Sequence, residues 1–247
     1  MLNSQSQQYP HPHQALDVIY QDAELVAINK PSGLLVHRSP IDKRETRFAV
    51  QELRNQLGQH VYPLHRLDKP TSGVLVFALS SEAASFYNEQ FREHQIHKAY
   101  LALVRGHGPE TMSIDHALKD EEDDYAGIKA GCEAKDALTN VKCVHQFDIP
   151  LTVDRYPTTR LSLMQCEPVT GRKHQIRRHL KHIGHPIIGD SRHGKGVLNR
   201  ACEGYLGAGR LWLACTQIIL TARDGNIVEI NAPLEADFEQ VLTQLSS

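Results

Sequence analysis

No apolar run in this 247-residue chain approaches the length of a membrane span, which excludes a helical membrane protein. Nor do we expect a secretory leader. The first fourteen residues are rich in Gln, His, Pro and Ser, without the basic start and apolar core of a signal peptide. Cysteines are few: five in all, Cys132, Cys143, Cys166, Cys202 and Cys215, scattered and odd in number. None forms C-x-x-C, so neither a disulfide framework nor a structural zinc site is expected, and a reducing cytoplasm is the simplest setting. Strong net charge is absent too, the formal value being −2. Yet a global count can hide local segregation. Acids cluster at Asp120–Asp124, and bases at Arg172, Lys173, Arg177, Arg178 and Lys181. We expect the acidic run to be solvated surface.

What is present is an ordinary globular composition, 40% hydrophobic and 23% charged. There is no internal repeat and no interdomain linker. We expect a disordered tail over residues 1–14 and one domain over 15–247, with no extended apolar surface stripe and hence a monomer. Short strands are expected at Asp17–Tyr20, Leu25–Asn29, Val74–Leu79, His97–Val104, Thr139–Phe147, Thr159–Cys166, Leu211–Thr221 and Ile227–Asn231. Asp224–Gly225 signals a hairpin between the last two. Helical spacing marks Glu45–Leu57, with Gly58 as its stop. It also marks a segment capped by Ser81 with Ala83, Tyr87 and Phe91 on one stripe, then Arg172–Ile183 and Leu234–Leu245. Gly108–Lys135 is polar and carries little pattern. Strands outnumber helices without regular alternation. An α+β fold follows, with a mixed, largely antiparallel central sheet and flanking helices.

Two stretches could carry chemistry. In His65–Arg66–Leu67–Asp68–Lys69–Pro70–Thr71–Ser72–Gly73, one carboxylate stands between two cations, in a polar loop before a buried strand. The strand fixes the loop, and the loop keeps the acid reachable. In Glu167–Leu180, Ile176, Leu180 and Ile183 form the buried stripe of a helix. His174, Arg178 and Lys181 lie on the opposite face and would offer cations to a polyanion. Arg177 flanks the stripe, where its guanidinium can aim inward at Asp68.

The first stretch resembles the H-R-L-D-x-x-T-S-G motif of the RluA-type pseudouridine synthases. The second is similar to their P-x-T-G-R-x-H-Q-I-R-x-H-L and continues into Gly184–Asp190, which looks like their G-H-P-I-x-G-D. Asn29–Lys30–Pro31–Ser32–Gly33 and Lys98–Ala99–Tyr100 are similar to two further motifs, in the family's order. The late strand departs from the family, reading Leu213–Ala214–Cys215 where L-H-A is common. The resemblance implies the family's fold, with an active-site cleft and without an N-terminal S4-type module. It also implies conversion of a uridine in RNA to pseudouridine. Asp68 matches the essential acid, as nucleophile at C1′ or base at C2′; both roles need an ionised carboxylate. Tyr100 matches a tyrosine that stacks on the base or helps move the C5 proton. Arg66 matches the arginine that fills the space of the extruded nucleotide. Lys30, Arg172, His174, Arg178 and Lys181 are further candidates for RNA contact. The isomerisation involves neither redox change nor hydrolysis, so no cofactor or metal is implied. Arg155–Arg160, Asp190–Gly194 and Asn199–Arg200 resemble a tRNA-acting member, which implies the uridine at position 65 of tRNA.

Plainer readings stand beside these. Alone, Asp68 beside Arg66 would be a surface ion pair, Tyr100 a cross-strand packing residue and Arg177 a solvated helix residue. Fifteen histidines include His174, His179, His182, His185 and His193 close together, but no H-x-x-x-H pair with a carboxylate partner. Cys166 and Cys215 lack an activating partner and read as buried thiols. The alternatives are a ribosomal RNA synthase of the same family and a non-catalytic RNA-binding protein that keeps the fold.

Overall fold

The computed structural model describes residues 15–38, 45–119, 121, 133–153 and 155–247. The expected tail lies outside these residues, as does most of the acidic run. The elements follow as β1 Asp17–Gln21, β2 Leu25–Lys30, α1 Ala49–Leu57, β3 Tyr62–Pro63, β4 Ser72–Ala78, α2 Ser81–Arg92, β5 His97–Arg105 and β6 Thr111–Asp115. Next come β7 Leu118–Lys119, β8 Ala134–Lys135, β9 Leu138–Ile149, β10 Thr159–Pro168, α3 Gln175–His182, α4 Gly196–Leu206, β11 Leu213–Thr221, β12 Ile227–Asn231 and α5 Ala236–Ser246.

The main sheet runs β1-β2-β4-β11-β5-β10-β9-β6, with β12 on β11 and β3 on β4. The β4–β11 pair is parallel, Ser72 opposite Ala214 and Gly73 opposite Cys215, within an otherwise antiparallel sheet. The α+β class with a mixed, largely antiparallel sheet is therefore what forms. Strand alternation splits the core in two, because successive side chains point to opposite faces. Tyr100, Ala102 and Val104 of β5 join Met164 and Cys166 of β10 in the larger core, with Ala49, Leu53 and Tyr87. Leu103, Leu161 and Leu163 face the other way, onto Leu198 and Cys202 of α4 and Phe238 and Val241 of α5. Trp212, the single tryptophan, meets Phe238 edge-on at 5.3 Å in this second core.

Several boundaries differ from expectation for local reasons. Helix α1 begins at Ala49 because Phe48 is extended and bridges Leu35. Ser80, rather than Ser81, caps α2, its side chain accepting from the Ala83 N–H. Helix α3 begins at Gln175, since His174 adopts a left-handed conformation with φ 53°. The segment 108–135 holds β6, β7 and β8. In β6 Met112 and Ile114 alternate with polar residues, but over only five residues and with Ile114 alone buried, so this edge strand gives a weak signal. Helix α4 was not anticipated; it is preceded by Gly194 and opens at Gly196, where the sequence reads as loop.

Candidate active site

The loop carrying Asp68 is clamped at both ends. At its start, the ring of His65 stacks on Phe91 at 5.3 Å, and its Nε2 accepts the Val76 N–H at 3.1 Å. Burial, with the nearby Lys98 charge adding to it, lowers the His65 pKa to about 3, so the ring stays a neutral acceptor. At the loop's end, Gly73 has φ +105°, and a Cβ there would lie 2.0 Å from the Cys215 carbonyl oxygen. Only glycine lets the two parallel backbones approach this closely. Between these points the Thr71 N–H closes a turn on the Asp68 carbonyl at 3.0 Å.

A second layer supports the turn from below. Lys30 is fully buried, and its Nζ donates to the carbonyls of Pro31 at 2.8 Å, Leu34 at 2.8 Å and Lys69 at 3.2 Å. Burial lowers its pKa to about 7, against the opposing pull of Glu235 and Asp68. Ser32 Oγ donates to the Pro70 carbonyl at 2.9 Å, and the Gly33 N–H to that of Lys69 at 2.8 Å. Arg210 then ties this layer to α5. Its Nη2 donates to Ser72 Oγ at 2.7 Å and its Nη1 pairs with Glu235 and Asp237, while Glu235 accepts the Ser32 N–H. The ammonium of Lys30 is thus out of reach of RNA, and its place is under the loop. This corrects the expectation of an RNA contact.

Helix α3 delivers the partner of the acid. Arg177 Nη1 donates to Asp68 Oδ2 at 2.8 Å, while Nε and Nη2 grip Asp190 Oδ2 and Oδ1, both at 2.8 Å. The Asp68 side chain keeps 27% exposure against 6% for Arg177 and 0% for Asp190. Asp190 Oδ1 also accepts the N–H groups of Arg192 and His193, each at 2.9 Å. Burial opposes ionisation of Asp190, but Arg177 and these amides outweigh it and leave the pKa below the ordinary value. Sequence reasoning placed Asp190 in a motif and gave it no role. Its signal was an acid following Gly189, whose φ of +80° turns the chain against Arg210.

Tyr100 lines the same cleft, nearly buried on β5 opposite Cys215. Burial, then the neighbouring Cys215, raises its pKa well above 10, so the phenol keeps its proton. Burial likewise lifts the Cys215 thiol to about 12, as expected of an inert thiol. The cleft is about 830 Å³ and includes Arg66, Asp68, Lys98, Tyr100, Arg172, His174, Arg177 and Arg192. This is room enough for a nucleotide. Arg66 is exposed at its lip.

The cationic face of α3 is arranged differently from expectation. His174 precedes the helix and points Nε2 to within 3.8 Å of Asp68. Arg172 Nε donates to the Asp136 carbonyl at 3.1 Å, and Arg178 Nη1 to that of Lys119 at 2.9 Å. Lys181 is exposed but does not line the cleft. Glu121, expected on solvated surface, is 18% exposed and sits among His174, Arg178, Arg192 and His193. The rest of the acidic run lies outside the described residues. Arg192 and His193 stood in a motif of the sequence without a role at the site, because nothing local says that the 190–193 turn folds back onto α3.

Residues 24–182 match the family described as RNA pseudouridylate synthase, and the chain belongs to that family of isomerases. Particular relatives narrow this. A protein of Vibrio cholerae serotype O1 named tRNA pseudouridine synthase C is 49% identical over 205 residues, 82% of this chain and 84% of that one. A Haemophilus influenzae protein of the same name is 44% identical over 232 residues, 93% of this chain and 97% of that one. The solved structure of Human RNA Pseudouridylate Synthase Domain Containing 4 shares the fold at a TM-score of 0.70 and 25% identity, over 93% of each chain.

Proposed function

We propose that this chain converts a uridine of tRNA, at position 65, to pseudouridine, with Asp68 as the catalytic carboxylate. The observation that carries the reading is the accessible Asp68 carboxylate held at 2.8 Å by a buried arginine on the wall of a nucleotide-sized cleft. The relatives named tRNA pseudouridine synthase C support tRNA as the substrate. The reaction breaks the N1–C1′ bond of uridine and forms C5–C1′. The C5 proton leaves and N1 gains one, so atoms balance without an added reactant. Asp68 either attacks C1′ or removes the C2′ proton; Arg177 holds its oxygen in place for both. Tyr100, kept protonated, faces the base as a hydrogen-bond donor or stacking surface. A stem uridine must leave its stack to reach Asp68, at a few kcal/mol. Arg66, exposed at the lip, is placed to fill the gap it leaves. Four unpaired thiols among the described residues, Cys143, Cys166, Cys202 and Cys215, support work in a reducing cytoplasm.

The test is to map pseudouridine in unmodified tRNA and ribosomal RNA treated with the purified protein. We expect it at tRNA position 65 with the wild type, and none with Asp68→Asn, which still binds tRNA. Turnover by Asp68→Asn would remove Asp68 from the mechanism. Product in ribosomal RNA alone would move the substrate.

A further inference from the structure

Glu121 is the one carboxylate among the described residues that enters the cluster beside Asp68 from the 116–135 connection. Its Oε2 lies 3.0 Å from His174 Nδ1 and 3.2 Å from Arg192 Nη2. Its Oε1 lies 3.9 Å from both Arg178 Nε and His193 Nε2. Four nitrogen-bearing side chains from α3, the residue before it and the 190–193 turn therefore converge on one carboxylate. The fit is poor, however. Oε2 is buried, and none of its contacts is aligned as a hydrogen bond. A planar carboxylate offers two oxygens in one plane. His174 Nδ1 and His193 Nε2 also meet each other at 3.2 Å, so the free donors are the two guanidinium groups and one imidazole, on the 174–178 segment and the 190–193 turn, and a tetrahedral anion can bridge them better.

The same atoms could be read as metal ligands, since Glu121, His174 and His193 each place one ligand-type atom within 4.8 Å of the others. Two guanidinium groups beside the same carboxylate argue against a cation there, because like charges at this range repel strongly in a part-buried site. They argue for an anion, and guanidinium groups bind phosphate well. The position matters as much as the charge. His174 faces the cluster through Nδ1 and Asp68 through Nε2, the latter at 3.8 Å. An anion in the cluster would stand one imidazole ring away from the reacting carboxylate. A phosphodiester of the target nucleotide or its neighbour falls at that range.

We propose that His174, Arg178, Arg192 and His193 form a phosphodiester subsite beside Asp68, in which the Glu121 carboxylate holds the place of a substrate phosphate and is displaced when RNA binds. The proposal rests on RNA being the substrate and adds how its backbone is held. Glu121 then acts as a resident competitor that lowers apparent affinity. It keeps these side chains gathered until the phosphate arrives, His174, Arg178 and His193 largely shielded and Arg192 open to solvent.

Glu121→Gln removes the charge and keeps the shape. Binding of unmodified tRNA at fixed salt is expected to tighten about tenfold relative to wild type, the size of one charge-assisted contact. Glu239→Gln, which removes the same charge from the exposed face of α5, is expected to leave binding unchanged. Inorganic phosphate is the second probe: at millimolar levels it should raise the melting temperature of Glu121→Gln and leave wild type unmoved. Adding Arg192→Ala to Glu121→Gln should cancel both gains. Unchanged or weaker tRNA binding by Glu121→Gln would overturn the subsite, as would an equal gain in Glu239→Gln. Zinc binding by wild type that is lost in Glu121→Gln would overturn it in favour of a metal site. If wild type makes pseudouridine in tRNA and these gains are missing, the subsite alone falls. If wild type modifies no RNA, the proposed function falls, while the phosphate response still decides the subsite.

Discussion

Replacing Arg177 by methionine separates its two partners. The side chain lies between a buried acid, Asp190, and the more accessible Asp68, with 2.8 Å contacts to both. At an effective dielectric of about 20, two charges about 4 Å apart interact by about 4 kcal/mol. Methionine preserves most of the stem's packing but leaves Asp190 charged with 0% exposure and no cation. Loss of one member of such a pair costs about 3–5 kcal/mol of stability. Activity should also fall, by about a hundredfold or more, because Asp68 loses the donor that fixes its oxygen.

The double variant Arg177→Met/Asp190→Asn tells these losses apart. The introduced carboxamide keeps an oxygen for the amides of Arg192 and His193, both of which use Oδ1 of Asp190, and no charge is left stranded. Stability should therefore return by about 2 kcal/mol or more relative to the Arg177→Met single variant, a coupling that urea unfolding at pH 7 resolves. Turnover should not return, since Asp68 still lacks its donor. Single-turnover pseudouridine formation reads this second quantity. Recovery of activity together with stability would refute the reasoning, for Arg177 would then act only by holding the 190–193 turn. Failure to recover stability would show that the charge of Asp190 is not what the single variant exposes.

Three further outcomes follow from the loop's supports. Lys30→Met removes the ammonium shared by three carbonyls, of which those of Lys69 and Pro31 keep a backbone N–H while that of Leu34 loses its donor, costing about 1–3 kcal/mol and most of the activity. Because the wild-type Lys30 pKa is lowered to about 7 by burial, the unfolded chain binds more protons above that pH. Wild-type stability should thus gain with rising pH from about 7 to 10 relative to Lys30→Met, and parallel curves in urea would contradict this. His65, lowered to about 3, contributes stability that is full above about pH 6.5 and is lost as pH falls toward 3. His65→Phe should flatten that acid limb by up to about 4 kcal/mol, and an unchanged limb would exonerate the ring. Gly73→Ala places a methyl carbon 2.0 Å from the Cys215 oxygen at a strained φ, so thermal unfolding should show a loss of at least about 3 kcal/mol. A wild-type melting temperature would mean that the β4–β11 contact yields.

The sequence made legible those parts that short-range patterns encode. The all-apolar Val74–Ala78 could only be a central strand, and Gly58 with its left-handed φ ends α1 as its position suggests. Arg177 on the flank of an apolar stripe was enough to pair it with Asp68. Other features depend on contacts distant in sequence, and these were not legible. Lys30 read as a candidate RNA ligand because nothing near it says that three carbonyls from two loops close around its ammonium. Glu121 read as surface because an acidic run is usually solvated, and only the fold brings it to Arg192 and His193. Helix α4 opens on Gly196 in a glycine-bearing segment, so propensity argued against it, and burial of Leu198, Cys202 and Leu206 on the second core overrides that weak prior.

Among the described residues, the supports of Asp68 come from several separate segments of the chain. Lys30, Ser32, Gly33, Arg210 and the Arg177–Asp190 pair hold its loop through bonds within the chain. A centre organised before substrate arrives does not reorganise during the reaction, which is where electrostatic catalysis gains most. The energy of RNA binding is then free for another task, that of drawing a stacked uridine out of its stem. Such work is done by groups remote from the bond that breaks. The proposed phosphodiester subsite fits that division. It stands one ring from Asp68, it is built from different side chains, and it holds a carboxylate of its own that only a better anion displaces. A uridine without its flanking phosphates would meet the same carboxylate in the same geometry, yet bring nothing with which to expel Glu121. Selection for RNA over free nucleoside would then reside in the cluster around Glu121, while Asp68, Arg177 and Tyr100 remain indifferent to what the base is attached to.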